Sequence, residues 1–178
     1  MSTGQIAVRY AKALFGSAKD QGMLDPVRSD MEMLLKTAGQ IPEITVLLES
    51  PILASGQKFS VLSGIFSERI TPLSLAFIRL VTDNKREEYL PGMARHFIRL
   101  YKEEKGIKVA TVHSAIKLDP SSEQQIQRLM EEVFKSRIEL EQEIREDLIG
   151  GFVLRVEDKQ LDASVKGKLA RIKKELQK

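Results

Sequence analysis

Two adjacent glycines, Gly150 and Gly151, are the residues of this sequence that most suggest phosphate chemistry. A phosphate-binding glycine loop lies between a strand and a helix, so that backbone N–H groups and the helix dipole meet the anion. Here the glycines precede FVLRV, an apolar run that predicts a strand over 152–156. The lysine and hydroxyl of a P-loop and the third glycine of a dinucleotide fingerprint are missing. We therefore predict a structural bend, with no bound cofactor.

Histidines and paired carboxylates give no catalytic or metal-binding pattern. His96 and His113 lie too far apart for an HExxH helix, and we expect His96 on a helix surface and His113 on one face of a strand. The acidic pairs at 87–88, 103–104 and 131–132 are adjacent on predicted helices, so their side chains diverge and do not converge as acid and base. No serine has a GxSxG elbow around it. We predict no catalytic residue and no metal site.

The composition argues against several classes of function. The net charge is +3, and it is spread evenly, because residues 1–105 hold 14 basic and 12 acidic residues and residues 106–178 hold 14 and 13. Aromatic residues make up 6% of the chain and tryptophan is absent, so neither a phosphate-backbone footprint nor a base-stacking platform is indicated. The absence of cysteine excludes disulfides and thiolate catalysis. No apolar run approaches the roughly 20 residues of a membrane span, so we expect any membrane role to be peripheral.

The first 105 residues are predicted to be helical throughout. Asp25-Pro26 and Thr71-Pro72 each place a capping residue before a proline at the first helical position, and Ser55 is the predicted cap of the fourth helix. Short links between helices favour a six-helix bundle. The predicted helices cover 6–21, 26–40, 42–49, 56–66, 72–84 and 86–105, with Pro91 marking either a start or a kink in the last.

The periodicity changes after Gly106, where we place a domain boundary between 1–105 and 106–178. β-Branched and alternating runs predict strands, and Asp119-Pro120 predicts a helix start. The predicted elements are a strand over 107–116, a helix to 134, a strand over 138–144 with Ile138, Leu140 and Ile144 on one face, the strand over 152–156, a turn over 157–159, a short strand over 160–162 and a final helix capped by Ser164. The predicted fold is mainly α, with a small C-terminal α/β module.

Two helical segments carry more apolar surface than a bundle needs. The apolar residues of 6–19 sweep roughly 220° of the helix, and 72–82 is apolar almost all round with Arg79 as its single charge. A central buried helix explains this pattern as well as a groove for another protein's helix does. Within 6–19, Ala7, Ala11 and Leu14 share one side. We predict this side as the groove floor, because small side chains let a partner backbone approach closely.

The final predicted helix has one narrow apolar stripe on a basic background. The stripe is Val165, Leu169, Ile172 and Leu176. Such a charge run is usually a solvated face, and the functional alternative is contact with an acidic partner helix.

Three motifs resemble the delta subunit of bacterial and chloroplast ATP synthase, a family whose mitochondrial member is the oligomycin-sensitivity-conferring protein. They are RYAKALF at 9–15, DNKREEYLPGMARHFIRLYKEEKG at 83–106 and IGGFVLRVEDKQLDASVKGKL at 149–169. Glu157 departs from the family, where glycine often precedes the aspartate. The resemblance implies a structural C-terminal signature at Gly150, Gly151, Asp158, Asp162 and Ser164.

The resemblance also implies a non-catalytic stator part. A groove between the first and fifth helices would hold the N-terminal helix of an alpha subunit, and the C-terminal domain would meet the end of the b stalk, with the 165–176 stripe as a possible contact. The chain would bind no nucleic acid and would reach the cytoplasmic face of a bacterial plasma membrane only through the complex. The groove residues predicted on this basis are Ala7, Tyr10, Ala11, Leu14, Phe15, Leu75, Ile78 and Arg79.

A competing hypothesis is an RNA-binding helical bundle with an appended α/β module. Its support is the basic final helix alone. A salt titration of RNA binding separates the two hypotheses, because a phosphate binder loses affinity steeply as salt rises.

Overall fold

The computed structural model describes residues 3–145, 148, 151–156 and 159–162. The chain divides into two compact units, Met1–Lys102 and Glu103–Lys178. We call them the helical unit and the α/β unit. The fold is mainly helical with a small sheet, and the division falls three residues before the predicted boundary.

The helical unit contains the first six α-helices of the described residues, and α6 runs on past its end. Five of the six agree with the predicted spans to within a few residues at each end, and α3 agrees at both ends. Their bounds are α1 Thr3–Asp20, α2 Leu24–Gln40, α3 Pro42–Glu49, α4 Ser55–Phe66, α5 Pro72–Asp83 and α6 Leu90–Glu104. A 3-10 turn at Glu87–Tyr89 precedes α6, so Pro91 lies in the first turn of that helix, where proline is tolerated.

The predicted helix caps have mixed outcomes. Thr71 is the cap of α5, since its Oγ1 accepts a hydrogen bond from Ser74 N at 3.2 Å. The prediction for Asp25 is wrong, because α2 begins at Leu24 and the Asp25 carboxylate accepts a hydrogen bond from the Tyr101 hydroxyl. The prediction for Ser55 is also wrong, because Ser55 is already helical, and the preceding residue is held by the Gln57 side chain, which accepts from its backbone N at 3.3 Å.

The core of the helical unit lies between the facing sides of all six helices. On α1 the buried stripe is Ala7, Ala11, Leu14 and Ala18, at i, i+4, i+7 and i+11, each no more than 5% exposed. Larger side chains from α2, α4, α5 and α6 fill the space against it. The fully buried large members are Phe66, Phe97, Met31, Leu62, Ile78, Leu90, Met93, Val27 and Val81.

The α/β unit is built on a four-stranded sheet in the order β2-β1-β3-β4. The β1 strand pairs parallel with β2 and antiparallel with β3, and β3 pairs antiparallel with β4. A parallel pair needs a crossover, and α7 supplies it between β1 and β2. The bounds are β1 Lys108–Ser114, α7 Pro120–Phe134, β2 Ile138–Ile144, β3 Phe152–Val156 and β4 Lys159–Asp162.

One face of this sheet packs on α7. Buried side chains at alternate strand positions form its core with Met130 of α7. The predicted face of β2 is correct for Ile138, which is fully buried, and for Leu140, which packs on the core. Ile144 follows the same two-residue alternation but lies at the strand end, beyond the reach of the core, and is 57% exposed. The buried strand residues are Ala110, Val112, Ile138, Leu154 and Val156.

The glycine pair is described only at its second member. Gly151 has φ +77°, a left-handed conformation that glycine adopts without steric cost, and β3 begins immediately after it. A strand thus follows, as predicted. Asp162 ends β4. The other signature and stripe residues lie outside the described residues: Gly150, Asp158, Ser164, Val165, Leu169, Ile172 and Leu176.

Candidate protein-binding groove

An apolar groove of about 360 Å³ lies between α1 and α5. Each helix presents four residues to it at the spacing i, i+3, i+4, i+7, which is one continuous face of a helix. The lining residues are Tyr10, Ala13, Leu14 and Ser17 from α1, and Leu73, Ala76, Phe77 and Leu80 from α5.

The groove has a buried floor and an exposed rim. Leu14 and Phe77 form the floor and are 4% and 6% exposed, so each belongs to the core and the groove at once. Leu80, at the rim, is 53% exposed despite its size. Large apolar side chains that are half-exposed contribute most to the free energy of binding when another surface covers them.

A hydrogen-bond network fixes the start of α5 beside α2. The Asp30 carboxylate is 5% exposed, and its Oδ2 accepts from Thr71 N at 2.9 Å and from Thr71 Oγ1 at 2.7 Å. Two donors satisfy this buried charge, and Thr71 in turn caps α5. The network sets the position of α5, which supplies half of the groove.

The rotation of α1 is set by its contacts with α6. A Cβ built on Gly92 of α6 would lie 3.4 Å from Ala7 Cβ, so the two helices approach closely where both carry small residues. Phe15 packs on Phe97 of α6, with ring centroids 5.8 Å apart. These contacts turn the alanine stripe of α1 inward and leave Tyr10, Ala13 and Ser17 facing the groove.

The predicted groove residues divide into three groups. Tyr10 and Leu14 line the groove. The prediction is wrong for Ala7, Ala11 and Ile78, which lie in the core at 5%, 0% and 0% exposure. The small alanines do allow close approach, but of the chain's own α6 rather than of a partner.

The remaining three predicted residues face away from the groove. Phe15 packs on α6 as described above. The Arg79 guanidinium lies 5.3 Å from the centre of the Phe59 ring of α4 and forms an ion pair with Asp83, so it belongs to the opposite edge of α5. Leu75 is half-buried and does not line the groove.

Six lining residues escaped the prediction: Ala13, Ser17, Leu73, Ala76, Phe77 and Leu80. On α1, the sequence signal that could have identified the groove face is the presence of side chains with polar ends. Tyr10 and Ser17 have polar tips, and such residues suit a face that meets water in the free protein, whereas an all-aliphatic stripe of alanines suits a core.

A larger cleft of about 810 Å³ is lined in part by charged side chains. Glu49 and Glu88 stand at it together with Arg95, His96 and Arg99 of α6. Partial burial, and then the positive charges of Arg99 and Arg95, lower the pKa of His96 below its usual value. A large part of this lining is polar, whereas the lining of the α1–α5 groove is almost wholly apolar, so a partner that covered the cleft would have to desolvate charged groups.

The other histidine has a carboxylate neighbour that was not predicted. His113 lies on β1, and its Nδ1 is 2.9 Å from Glu143 Oε2, on the residue that it faces across the parallel β1–β2 pair. Among the described residues, no group of three or more His, Asp or Glu side chains is placed to hold a metal ion. Within the same residues, no helix combines the length and apolar content of a membrane span.

Curated relatives match the chain over almost its full length. The family described as ATP synthase delta (OSCP) subunit covers residues 6–176. The ATP synthase subunit delta of Carboxydothermus hydrogenoformans is 31% identical over 99% of both chains, and that of Synechococcus elongatus is 34% identical over 96% of both. A chain of the cryo-EM structure of the Toxoplasma gondii mitochondrial ATP synthase hexamer has the same fold, with a TM-score of 0.75, 24% identity and 97% coverage of both chains.

Fold and groove together define a two-unit protein whose distinctive surface is apolar and suited to binding another protein. The chain belongs to the ATP synthase delta (OSCP) subunit family, whose members are non-catalytic parts of that complex with a coupling role in its peripheral stalk. The hypothesis of an RNA-binding bundle finds no support in these similarities, which are to ATP synthase subunits.

Proposed function

We propose that the chain links the catalytic head of a rotary ATP synthase to its b-subunit stalk, and that the α1–α5 groove holds the N-terminal helix of an alpha subunit. The observation that carries this proposal is the pair of matched apolar stripes on α1 and α5. An amphipathic helix inserts its apolar face into such a groove through residues spaced i, i+3, i+4 and i+7.

The energetics favour a stable contact. Burial contributes about 25 cal/mol per Å² of apolar surface, and Leu80, Leu73 and Ala76 are all at least partly exposed in the free chain. The floor residues Leu14 and Phe77 are already ordered by the core, so little conformational entropy is lost when a partner binds. The groove is therefore preorganised.

The mechanism is mechanical rather than chemical. Rotation inside the head applies torque to the alpha subunits, and a tether to the stalk resists it. In this proposal the helical unit is a six-helix bundle on the head, and residues 106–178 bind the b-subunit ends, with the apolar stripe Val165, Leu169, Ile172 and Leu176 as the stalk contact. The chain then lies at the cytoplasmic face of a bacterial plasma membrane, and it is attached there only through the complex.

A charge on the groove tests the proposal. Ala76 is exposed on α5 and lines the groove. In the Ala76→Asp variant, an incoming helix would have to desolvate a carboxylate that has no partner. We expect affinity for the alpha N-terminal peptide, measured by titration calorimetry, to fall at least about tenfold, equal to about 1.4 kcal/mol.

The matched control is Ser60→Asp, which adds the same charge to an exposed position of α4 outside the groove. It should bind the peptide like the unmodified chain. In reconstituted membranes, Ala76→Asp should leave ATP hydrolysis by the head intact while proton pumping falls, because a head without its tether is uncoupled. Normal peptide binding by Ala76→Asp would contradict the assignment of the groove.

A further inference from the structure

A third pocket of the helical unit contains a buried ion pair that is only partly satisfied. Lys58 of α4 and Glu87 of the 3-10 turn are 3% and 6% exposed, and Lys58 Nζ lies 2.5 Å from Glu87 Oε1. The same ammonium donates to the carbonyl oxygen of Leu48 at 3.0 Å. The other carboxylate oxygen, Glu87 Oε2, is buried and has no hydrogen-bond partner in the part of the chain described. An unsatisfied buried carboxylate oxygen is costly, and its presence calls for a donor.

Backbone geometry fixes Glu87 in this position. At the end of α5, Lys85 N donates to Thr82 O at 2.9 Å and Arg86 N donates to Val81 O at 3.0 Å, the pattern of a Schellman motif. Lys85 adopts the left-handed conformation at φ +56°, which glycine usually supplies. The chain therefore turns sharply and places Glu87 under α4 two residues later.

An exposed apolar loop borders the same pocket. The pocket has a volume of about 370 Å³, and its lining includes Lys58, Glu87 and all of the loop over 50–54. Within that loop Ile52 is 91% exposed and Leu53 is 38% exposed. An isoleucine that is almost wholly in water beside a polar pocket forms the apolar half of an interaction surface.

The charges of the pocket favour a basic occupant. Its lining holds three carboxylates, on Glu49, Glu87 and Glu88, against two ammonium groups, on Lys58 and Lys85. Lys58 and Glu87 neutralise each other, and the exposed Glu49 and Glu88 outnumber the exposed Lys85, which leaves one negative charge in excess. An arginine suits this site because its planar guanidinium is weakly hydrated and presents several donors, which can serve a buried oxygen and exposed carboxylates together.

We propose that this pocket is a second protein-docking surface of the helical unit, which takes an arginine side chain of a partner segment and places a neighbouring apolar side chain of that segment against Ile52 and Leu53. It shares no lining residue with the α1–α5 groove, so the two surfaces can be occupied at once. The inference does not depend on the proposed role of that groove.

The test uses the full chain and three short probes: acetyl-Leu-Arg-amide, acetyl-Leu-citrulline-amide and acetyl-Leu-Glu-amide. Citrulline keeps the shape of arginine and removes its charge. Binding is followed by two-dimensional NMR of the backbone amides. We expect saturable shifts within 50–58 and 85–88 for the arginine probe, and affinity about three- to fivefold weaker for citrulline, the range of a partly exposed charge contact. The glutamate probe should give no saturable shift.

Matched variants locate the contacts. Glu49→Gln should weaken the arginine probe about threefold, while Glu43→Gln, also exposed on α3 but outside the pocket, should not. Ile52→Ser should weaken it about threefold, and Val46→Ser, on a side chain 69% exposed and outside the pocket, should have no effect.

Removal of Glu87 alone would leave the buried Lys58 ammonium without a counter-ion and would destabilise the fold. The double variant Lys58→Met with Glu87→Met avoids this, because apolar residues of similar volume replace a buried pair without loss of the fold. It should fold and bind the arginine probe at least about fivefold more weakly. Equal binding of the arginine and citrulline probes, shifts confined to 10–17 and 73–80, or no saturable shift at all would overturn the proposal. The last result would mean that a trapped water satisfies Glu87.

Discussion

The helical unit and the α/β unit differ in the kind of contact that holds each of them together internally. In the helical unit the helices meet through side chains, and α1 lies against its neighbours by way of alanines that are no more than 5% exposed. In the α/β unit the strands meet through backbone hydrogen bonds, which fix each residue of β1 opposite one residue of β2 and, for much of its length, one of β3. Side-chain packing between helices admits a scatter of about 15–20° in crossing angle, whereas a strand that slips by one residue turns every side chain to the other face.

This difference decides where each unit can present a binding surface. In the helical unit, the rotation of α1 divides its wide apolar arc between core and groove, and Leu14 serves both. In the α/β unit, the alternation of the strands sends one set of side chains to α7 and the other set to the opposite face of the sheet. The position of small residues thus determines which side chains of a helix form a binding surface. On the sheet, the strand register determines it.

The largest expected effect comes from removing the α/β unit, which tests whether the two units fold and bind independently. The fragment 1–105 should fold as a helical monomer, because the helical unit has its own core. It should bind the alpha N-terminal peptide like the full chain and lose b-stalk binding altogether. Circular dichroism and co-sedimentation with the b subunit measure the two outcomes. An unfolded fragment would show that the helical unit depends on the rest of the chain.

Two alanines of α1 provide the next largest contrast. Ala11 is fully buried and Ala13 is exposed in the groove, although only two residues separate them. Ala11→Asp buries an unpaired charge and should destabilise the fold by about 4 kcal/mol or more. Ala13→Asp should lower stability by only about 0.5–0.7 kcal/mol, the difference in helix propensity.

Urea unfolding measures both variants, and peptide titration then separates fold from function. Ala13→Asp should remain folded and bind the alpha peptide at least about tenfold more weakly, because its carboxylate stands in the groove. If Ala11→Asp were as stable as Ala13→Asp, the rotation of α1 described here would be wrong.

The same two alanines show which features of the structure the sequence predicts and which it does not. It predicts where the helices lie, because prolines, glycines and caps such as Thr71 act locally. It predicts that Ile138 and Leu140 of β2 face the core, because alternation alone decides this. It does not decide which side of α1 is core, because Ala7, Ala11, Ala13 and Leu14 are all apolar, and the choice depends on the distant residues Gly92 and Phe97 of α6.

The cap predicted at Asp25 fails for the same physical reason. An aspartate before a proline is a good local cap signal, but a tertiary partner competes for the carboxylate, and here it is the hydroxyl of Tyr101, 76 residues further along the chain. Glu87 shows the same limit. Its sequence neighbours indicate a solvated acidic pair, and only the packing of α4 over the 3-10 turn buries it.

A smaller effect is expected in the α/β unit at Gly151. Its φ of +77° is strained for a β-branched residue, so Gly151→Val should destabilise this unit by about 1–3 kcal/mol. Gly151→Asn should lose less, because asparagine tolerates the left-handed region. Hydrogen exchange of the β1 and β3 amides reports the loss, and exchange in α1 should not change. ATP binding that is present in the unmodified chain and lost in Gly151→Val would show that the glycines bind phosphate.

The smallest expected effect is a gain, rather than a loss, in the stability of the fold. Lys135 ends α7 in the left-handed conformation, with φ +47° and ψ +38°, and its side chain is exposed. A residue with a Cβ pays about 1–2 kcal/mol for this conformation, and glycine avoids that cost but gains entropy in the unfolded chain. Lys135→Gly should therefore stabilise the α/β unit by a net of about 0.5 kcal/mol. Lys117→Gly, at an exposed position that is not left-handed, should give no gain.

Lys85→Gly, at φ +56°, should give a gain of the same sign in the helical unit. Thermal unfolding followed separately by amide exchange in α7 and in α5 measures both. A gain at Lys117 equal to that at Lys135 would show that loss of the lysine charge, rather than relief of the backbone, is responsible.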